Sequence, residues 1–175
     1  MTSPQPADWP ADIFAVLKAA EVRQVGYVPD AGHARLLTLC AGDPGMRMVP
    51  LTTEEEGIGL AAGAWLGGER AVLLMQSSGV GNCLNTLAMI ESCGFPFLTL
   101  VTMRGEFGEF NPWQVPMGSA TPEALALANV IVHRASDAAA VGAVVAGAAR
   151  LAFSSYRAVA VLLSQPLVGA KSFAK

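Results

Sequence analysis

Residues 47–82, RMVPLTTEEEGIGLAAGAWLGGERAVLLMQSSGVGN, decide the fold. Arg47–Leu51 reads as a short strand, residues 54–67 as a helix made mostly of small residues, and Ala71–Gln76 as a second apolar strand. A strand, a helix and a strand in that succession is the repeating unit of a parallel sheet covered on both faces. Outward from it the alternation continues. Further strands are expected at Gln24–Val28, Phe97–Met103, Val130–His133 and Ala158–Leu163, and helices near 10–22, 31–40, 81–93, 122–129 and 136–153. The first helix starts at Pro10, a favoured first-turn residue. The expected architecture is three-layer α/β/α with a six-stranded parallel sheet, one domain over residues 9–175 behind a flexible stretch at 1–8.

Composition narrows the function classes. Of 175 residues, 53% are hydrophobic and only 14% charged, so little charged surface is left for a free monomer and a partner is expected to cover apolar surface. The net charge of -3 and the lack of a Lys/Arg cluster remove the electrostatic footprint of nucleic acid binding. The start, MTSPQPADWPADIF, has neither a basic n-region nor a long apolar run. A cytoplasmic protein with no membrane span is therefore expected. Cys40, Cys83 and Cys93 lack metal-ligand spacing and read as buried thiols, with Cys83 and Cys93 the candidates for reactivity.

In an open parallel sheet ligands bind beyond the carboxyl ends of the strands. The segments to inspect are therefore Pro29–His33, Thr52–Glu56, Ser77–Asn82 and Arg104–Gly118. Glu54, Glu55 and Glu56 suit the positive end of a helix whichever of them works. Thr53 with Glu56 has the spacing of a capping box, which leaves Glu54 or Glu55 for chemistry. The small residues that follow, from Gly57 to Gly68, let another backbone or a flat ligand come close. Gly79-x-Gly81 does the same or merely turns the chain: Leu84 stands where a dinucleotide fingerprint needs its third glycine, and no Gly-Lys-Ser/Thr follows. Arg104, directly after a strand, suits an anionic group, or else pairs with Glu106 or Glu109. His33 lies in the VPDAGH turn, within reach of a substrate, whereas His133 is expected to close a strand. Residues 104–121, RGEFGEFNPWQVPMGSAT, form the longest irregular stretch and carry aromatic residues, which favours a working loop. Signatures of serine hydrolases and zinc enzymes are absent, so the chemistry calls for an organic cofactor.

Together TTEEEGIGLAAGAWLGG, LLMQSSGVGN, LTLVTMRGEFGEF and NPWQVPMG resemble the pyrimidine-binding domain of thiamine diphosphate-dependent 2-oxoacid decarboxylases. Within that family the likeness is greatest to the α subunits of sulfopyruvate decarboxylases, with phosphonopyruvate decarboxylases related. The resemblance implies the thiamine diphosphate-binding fold of the pyrimidine domain and a catalytic glutamate nine residues before Gly63, which is Glu54. That residue would hydrogen-bond N1′ of the cofactor's aminopyrimidine and promote removal of the thiazolium C2 proton. Pro29, Ser78, Gly79, Gly81 and Asn82 match positions that border the cofactor, and Asp30 the turn that faces cofactor and substrate. Arg104, His33 and Gln114 are candidates for gripping the substrate, and Phe110 and Trp113 for excluding water. Val115 stands where phosphonopyruvate enzymes prefer His, which favours sulfopyruvate among anionic 2-oxoacids. The family's Gly-Asp-Gly motif for diphosphate and Mg2+ has only Gly42-Asp43-Pro44 as a near miss, with no Asn until Asn82. No metal ligand is thus expected in this chain. The resemblance implies a β subunit that carries the motif and an α/β hetero-oligomer with the cofactor between the chains.

Overall fold

A computed structural model describes residues 7–169. Six strands, β1 (Val22–Tyr27), β2 (Arg47–Pro50), β3 (Arg70–Gln76), β4 (Phe97–Thr102), β5 (Ile131–Ala135) and β6 (Ala158–Leu163), form one sheet in the order β2-β1-β3-β4-β6-β5. Every neighbouring pair is parallel. The central strands face two cores, as the alternation of side chains along a strand requires. Val72 and Leu74, Leu98 and Leu100, and Val159 and Val161 join one cluster. Leu73 and Met75, Phe97 and Val101, and Ala160 and Leu162 join the other. The first cluster is closed by α1 (Trp9–Ala19), α2 (Ala34–Ala41) and α7 (Val141–Ser155). Against the second lie α3 (Glu56–Leu66), α4 (Ser77–Cys83), α5 (Ala88–Cys93) and α6 (Gln114–Leu127). Last comes a single turn, α8 (Gln165–Val168). No helix among the described residues is long and apolar enough to cross a membrane.

The expected three-layer fold and all six strands are present; several helix boundaries depart from the sequence reading, and α1 itself ends at Ala19 rather than near residue 22. First, the helix expected over 81–93 is two, α4 and α5, separated by a turn at residues 84–87 that contains Asn85 and Thr86, both poor helix formers. Gly79 and Gly81 are therefore not a turn but part of α4. Second, α6 begins eight residues before its expected start and runs through Pro122. Proline normally signals a helix start or a break, but here tertiary contact holds the earlier turns. A Cβ on Gly118 would lie 1.9 Å from the Arg104 carbonyl oxygen, so the strand end and the helix touch backbone to backbone. Third, residues 31–33 form a 3-10 turn before α2, and α7 starts at Val141 rather than at 136.

Smaller differences concern single residues. His133 is the third residue of β5 rather than its end. Of the expected flexible stretch 1–8, residues 1–6 lie outside the described residues, but Asp8 is anchored by pairing with Arg35, and its carbonyl accepts from Ala11 and Asp12 at the start of α1. Residues 170–175 of the expected domain also lie outside them. The capping box does not form as read. The Glu56 carboxylate accepts from the Thr52 N–H at 2.8 Å, while the Thr53 hydroxyl donates to Glu55 at 2.9 Å.

Candidate active site

The strand order reverses between β1 and β3, because β2 lies on one side of β1 and β3 on the other. The crevice beyond the carboxyl ends at such a point is where ligands bind in open α/β sheets. Into it run the turn after β1, the segment linking β2 to α3, and the N-terminus of α4. Four segments far apart in sequence thus converge there, the fourth being the connection from β4 to α6.

Glu54 sits between β2 and α3 and is 8% exposed. Its carboxylate lies against the first turn of α4: a Cβ on Gly79 would fall 2.4 Å from Glu54 Cδ and Cγ. Only glycine leaves room for the carboxylate there. Asn82, on the same helix, donates from Nδ2 to Glu54 Oε2 at 2.8 Å. Oε1 accepts no hydrogen bond from the described residues and is not among the fully covered polar atoms that lack a partner. One oxygen is held and the other open. Glu55 and Glu56 are instead spent on Thr53 and Thr52. Glu54, Gly79 and Asn82 are therefore brought together as the sequence suggested. Gly81 faces α6, where a Cβ would meet Met117 Sδ at 3.1 Å, and Ser78 turns away to donate to Gln76 Oε1 at 3.0 Å.

Asp30 occupies the turn after β1 beside the exposed Pro29. Its carboxylate accepts from Thr102 Oγ1 at 2.7 Å, Gln76 Nε2 at 2.9 Å and the Gly32 N–H at 3.0 Å, so it ties the ends of β1, β3 and β4 together. His33 does not face the crevice. It is 1% exposed, with Nε2 3.3 Å from the Met75 carbonyl and 3.2 Å from that of Leu100. Carbonyls only accept, so Nε2 bears the proton and Nδ1 keeps a buried lone pair without a partner. Burial lowers the pKa of His33, and the nearby Asp30 carboxylate opposes that only in part. A substrate-gripping role does not suit so enclosed a ring.

Of the two pairings open to Arg104, the structure takes Glu109. Nη2 and Nε donate to the two carboxylate oxygens at 2.5 and 2.6 Å, and both side chains are nearly covered. The Arg104 guanidinium holds the Glu109 carboxyl down at about 2, helped by the N–H groups of Asn111 and Gly105. An incoming anion would meet a neutral pair here, not a free cation. Phe110 lies with its ring 5.6 Å from the guanidinium carbon. Gln114 opens α6 with its Oε1 buried and without a partner among the described residues, while Trp113 is 84% exposed, so the water-excluding role expected of it is not visible in the single chain. A residue that periodicity could not single out is Gln165, 1% exposed at the head of α8, whose amide binds the loop carrying Glu106 and Glu109. The one sequence signal for it is its place two residues after the end of the last strand.

Cys83 is buried and its thiol pushed up to about 12, by burial first and then by the Glu54 and Glu55 charges, which removes it as a nucleophile. Burial likewise raises Cys40 to about 11. Cys93 is exposed, contrary to its reading as a buried thiol.

A carboxylate with one open oxygen, seated on a glycine backbone at the switch point of a parallel sheet, fits one edge of a flat heteroaromatic ring. Diphosphate and metal find no such fit. Among the described residues no group of three or more His, Cys, Asp or Glu could hold a metal ion, and Arg104 and Arg134 at this edge are both paired with glutamates. The chain belongs to the thiamine pyrophosphate enzymes: residues 10–107 match the family described as thiamine pyrophosphate enzyme, N-terminal TPP binding domain.

Within that class it is 36% identical over 152 residues to the sulfopyruvate decarboxylase subunit alpha of Methanothermobacter thermautotrophicus, covering 86% of this chain and 92% of that protein. The phosphonopyruvate decarboxylase of Streptomyces viridochromogenes is 34% identical over 122 residues, which are 69% of this chain but 31% of that protein. In three dimensions the 2-oxoglutarate:ferredoxin oxidoreductase of Magnetococcus marinus superimposes with a TM-score of 0.71 at 14% identity, over 91% of this chain and 29% of that one. The last likeness concerns the fold alone.

Proposed function

We propose that this chain is the α subunit of a thiamine diphosphate-dependent decarboxylase that converts 3-sulfopyruvate to sulfoacetaldehyde and CO2. The observation that carries the reading is the Glu54 carboxylate, fixed through Oε2 by Asn82 and open at Oε1 in the switch-point crevice. Identity to a sulfopyruvate decarboxylase subunit alpha over nearly its full length supports the substrate. Thiamine diphosphate, when bound, supplies the carbon nucleophile and electron sink that a 2-oxoacid needs in order to lose CO2. Glu54 holds and moves a proton at Oε1, directed at the ring nitrogen of the aminopyrimidine. Asn82 orients the carboxylate, and Gly79 leaves the space the carboxylate needs. Overall the C1–C2 bond of the oxoacid breaks, carbon dioxide departs and a proton takes its place.

Diphosphate and Mg2+ belong, in this reading, to a β subunit that docks on the carboxyl edge and completes the site. Length supports a second chain: the relative named a subunit matches over nearly its whole length, whereas the relative named a whole decarboxylase is about three times longer than the stretch it shares. The test is to reconstitute the complex with the copurifying subunit and assay sulfopyruvate, phosphonopyruvate and pyruvate with thiamine diphosphate and Mg2+. Aldehyde release from sulfopyruvate is expected. Turnover of phosphonopyruvate alone would move the assignment to that substrate, which the 34% identity to a phosphonopyruvate decarboxylase makes the second reading. Unchanged activity of Glu54→Gln would make the chain a non-catalytic assembly subunit.

A further inference from the structure

Gln165 spends its whole side chain on a segment more than fifty residues away. Its Oε1 accepts from the N–H groups of Glu106 at 2.8 Å and Phe107 at 2.9 Å, and its Nε2 donates to Glu109 Oε2 at 3.0 Å. Its own N–H donates to Glu106 Oε2 at 3.2 Å, and Glu106 in turn pairs with Arg134 on β5. A buried amide with both ends satisfied is a fixed part, since each unmade bond would leave a desolvated polar group. What it fixes is the turn at 105–110, entered through Gly105 at a φ of +77°, a backbone conformation that favours glycine.

That turn leads to the catalytic cradle by contact. Glu109 grips Arg104, the Arg104 N–H donates to Ser77 Oγ at 3.1 Å, and the Arg104 carbonyl abuts Gly118 of α6. Ser77 begins α4, the helix whose Gly79 and Asn82 seat Glu54, and Met117 of α6 lies against Gly81. We propose that Gln165 is a positioning residue for the 2-oxoacid: it clasps the 105–110 turn, keeps Glu109 on Arg104, and so preorganises the mouth of the site for substrate binding. This rests on the decarboxylase reading above. A loosened turn would have to be ordered again by the substrate, a cost that falls on affinity and not on the chemical step.

The test compares Gln165→Ala and Gln165→Glu with the wild type in the reconstituted complex. Gln165→Ala is expected to raise KM for the oxoacid about tenfold, the scale of losing a hydrogen bond to a charged group, with kcat changed less than about twofold. Gln165→Glu keeps the acceptor for Glu106 and Phe107 but turns a carboxylate oxygen toward Glu109, among Arg104, Arg134, Glu106 and Asp30 as the surrounding charges. Ionised, the two carboxylates repel; one shared proton restores the bridge. Its KM is therefore expected to fall back toward the wild-type value as pH is lowered from about 9 to about 6, a recovery that Gln165→Ala lacks. Hydrogen exchange on the isolated chain supplies a readout without turnover: the Glu106 and Phe107 amides exchange faster in Gln165→Ala. Unchanged exchange, or faster exchange with an unchanged KM in an active complex, overturns the inference and leaves the decarboxylase reading standing. A wild-type complex that decarboxylates no 2-oxoacid overturns both.

Discussion

Glu54 rests against Gly79 with one oxygen held by Asn82 and the other open. Glu54→Gln keeps the shape and can no longer hold or release the proton, so kcat of the complex is expected to fall by about 10² to 10⁴, the usual worth of a positioned acid or base. Far-UV circular dichroism should stay unchanged; a lost spectrum would mean that the loss is one of folding. Buried His33 gives a second prediction at this scale. Because its folded pKa lies below the ordinary 6.5, the unfolded chain takes up a proton that the folded chain refuses. Unfolding then binds protons, so stability is present above about pH 6.5 and declines as pH falls below it. The urea midpoint should drop between about pH 7.5 and pH 5.5, and His33→Asn should flatten that slope. An equally steep slope in the variant would assign the proton uptake elsewhere. Glu109 acts in a lower window: held at about 2, it contributes stability above its ordinary 4.5 that is lost only as pH falls through that range.

Among the elements, strands were legible and helix limits were not, for a physical reason. Val72–Met75 and Val159–Leu163 are apolar runs whose burial follows from composition, and all six strands lie within two residues of their expected bounds. The start of α6 was hidden because it depends on a contact between residues fourteen apart, the Arg104 carbonyl against Gly118, whereas Pro122 suggested a helix start at 122. Likewise the role of Gly79 in α4 comes from Glu54, twenty-five positions earlier, and not from any turn. The three glutamates at residues 54–56 could be told apart by family spacing but not by local chemistry, and the capping box assigned there does not form. The Arg104–Gly118 contact yields a prediction: a side chain at 118 cannot be relieved by rotation, because the atom it meets is backbone. Gly118→Ala should cost about 3 kcal/mol or more in a denaturation curve, whereas an ordinary exposed glycine in a helix gains about 1 kcal/mol on becoming alanine. A loss below about 1 kcal/mol would show that α6 shifts aside freely.

At the scale of the whole molecule, the proposed division of the site between two chains requires a surface on which the partner docks. The sequence suggested that division by lacking a Gly-Asp-Gly motif, whereas a candidate docking face needs three dimensions to be seen. On α3 two of the small residues, Gly59 and Gly63, have nothing within 4 Å of where a Cβ would stand, and Leu66 is 88% exposed. By contrast Gly57 on the same helix is pressed against Leu73, where a Cβ would fall 2.4 Å from Cδ1. One glycine thus answers to the fold, and two meet nothing among the described residues. Their helix cost, about 1 kcal/mol each relative to alanine, is offset only if another surface comes close. Gly63→Ala should therefore stabilise the isolated chain by about 0.5 to 1 kcal/mol in urea unfolding and still weaken its association with the β subunit, read as a higher Kd by calorimetry. Stabilisation with an unchanged Kd would place the partner away from this face of α3. A Kd raised along with a destabilised chain would point instead to a packing role for Gly63 that the single chain does not display.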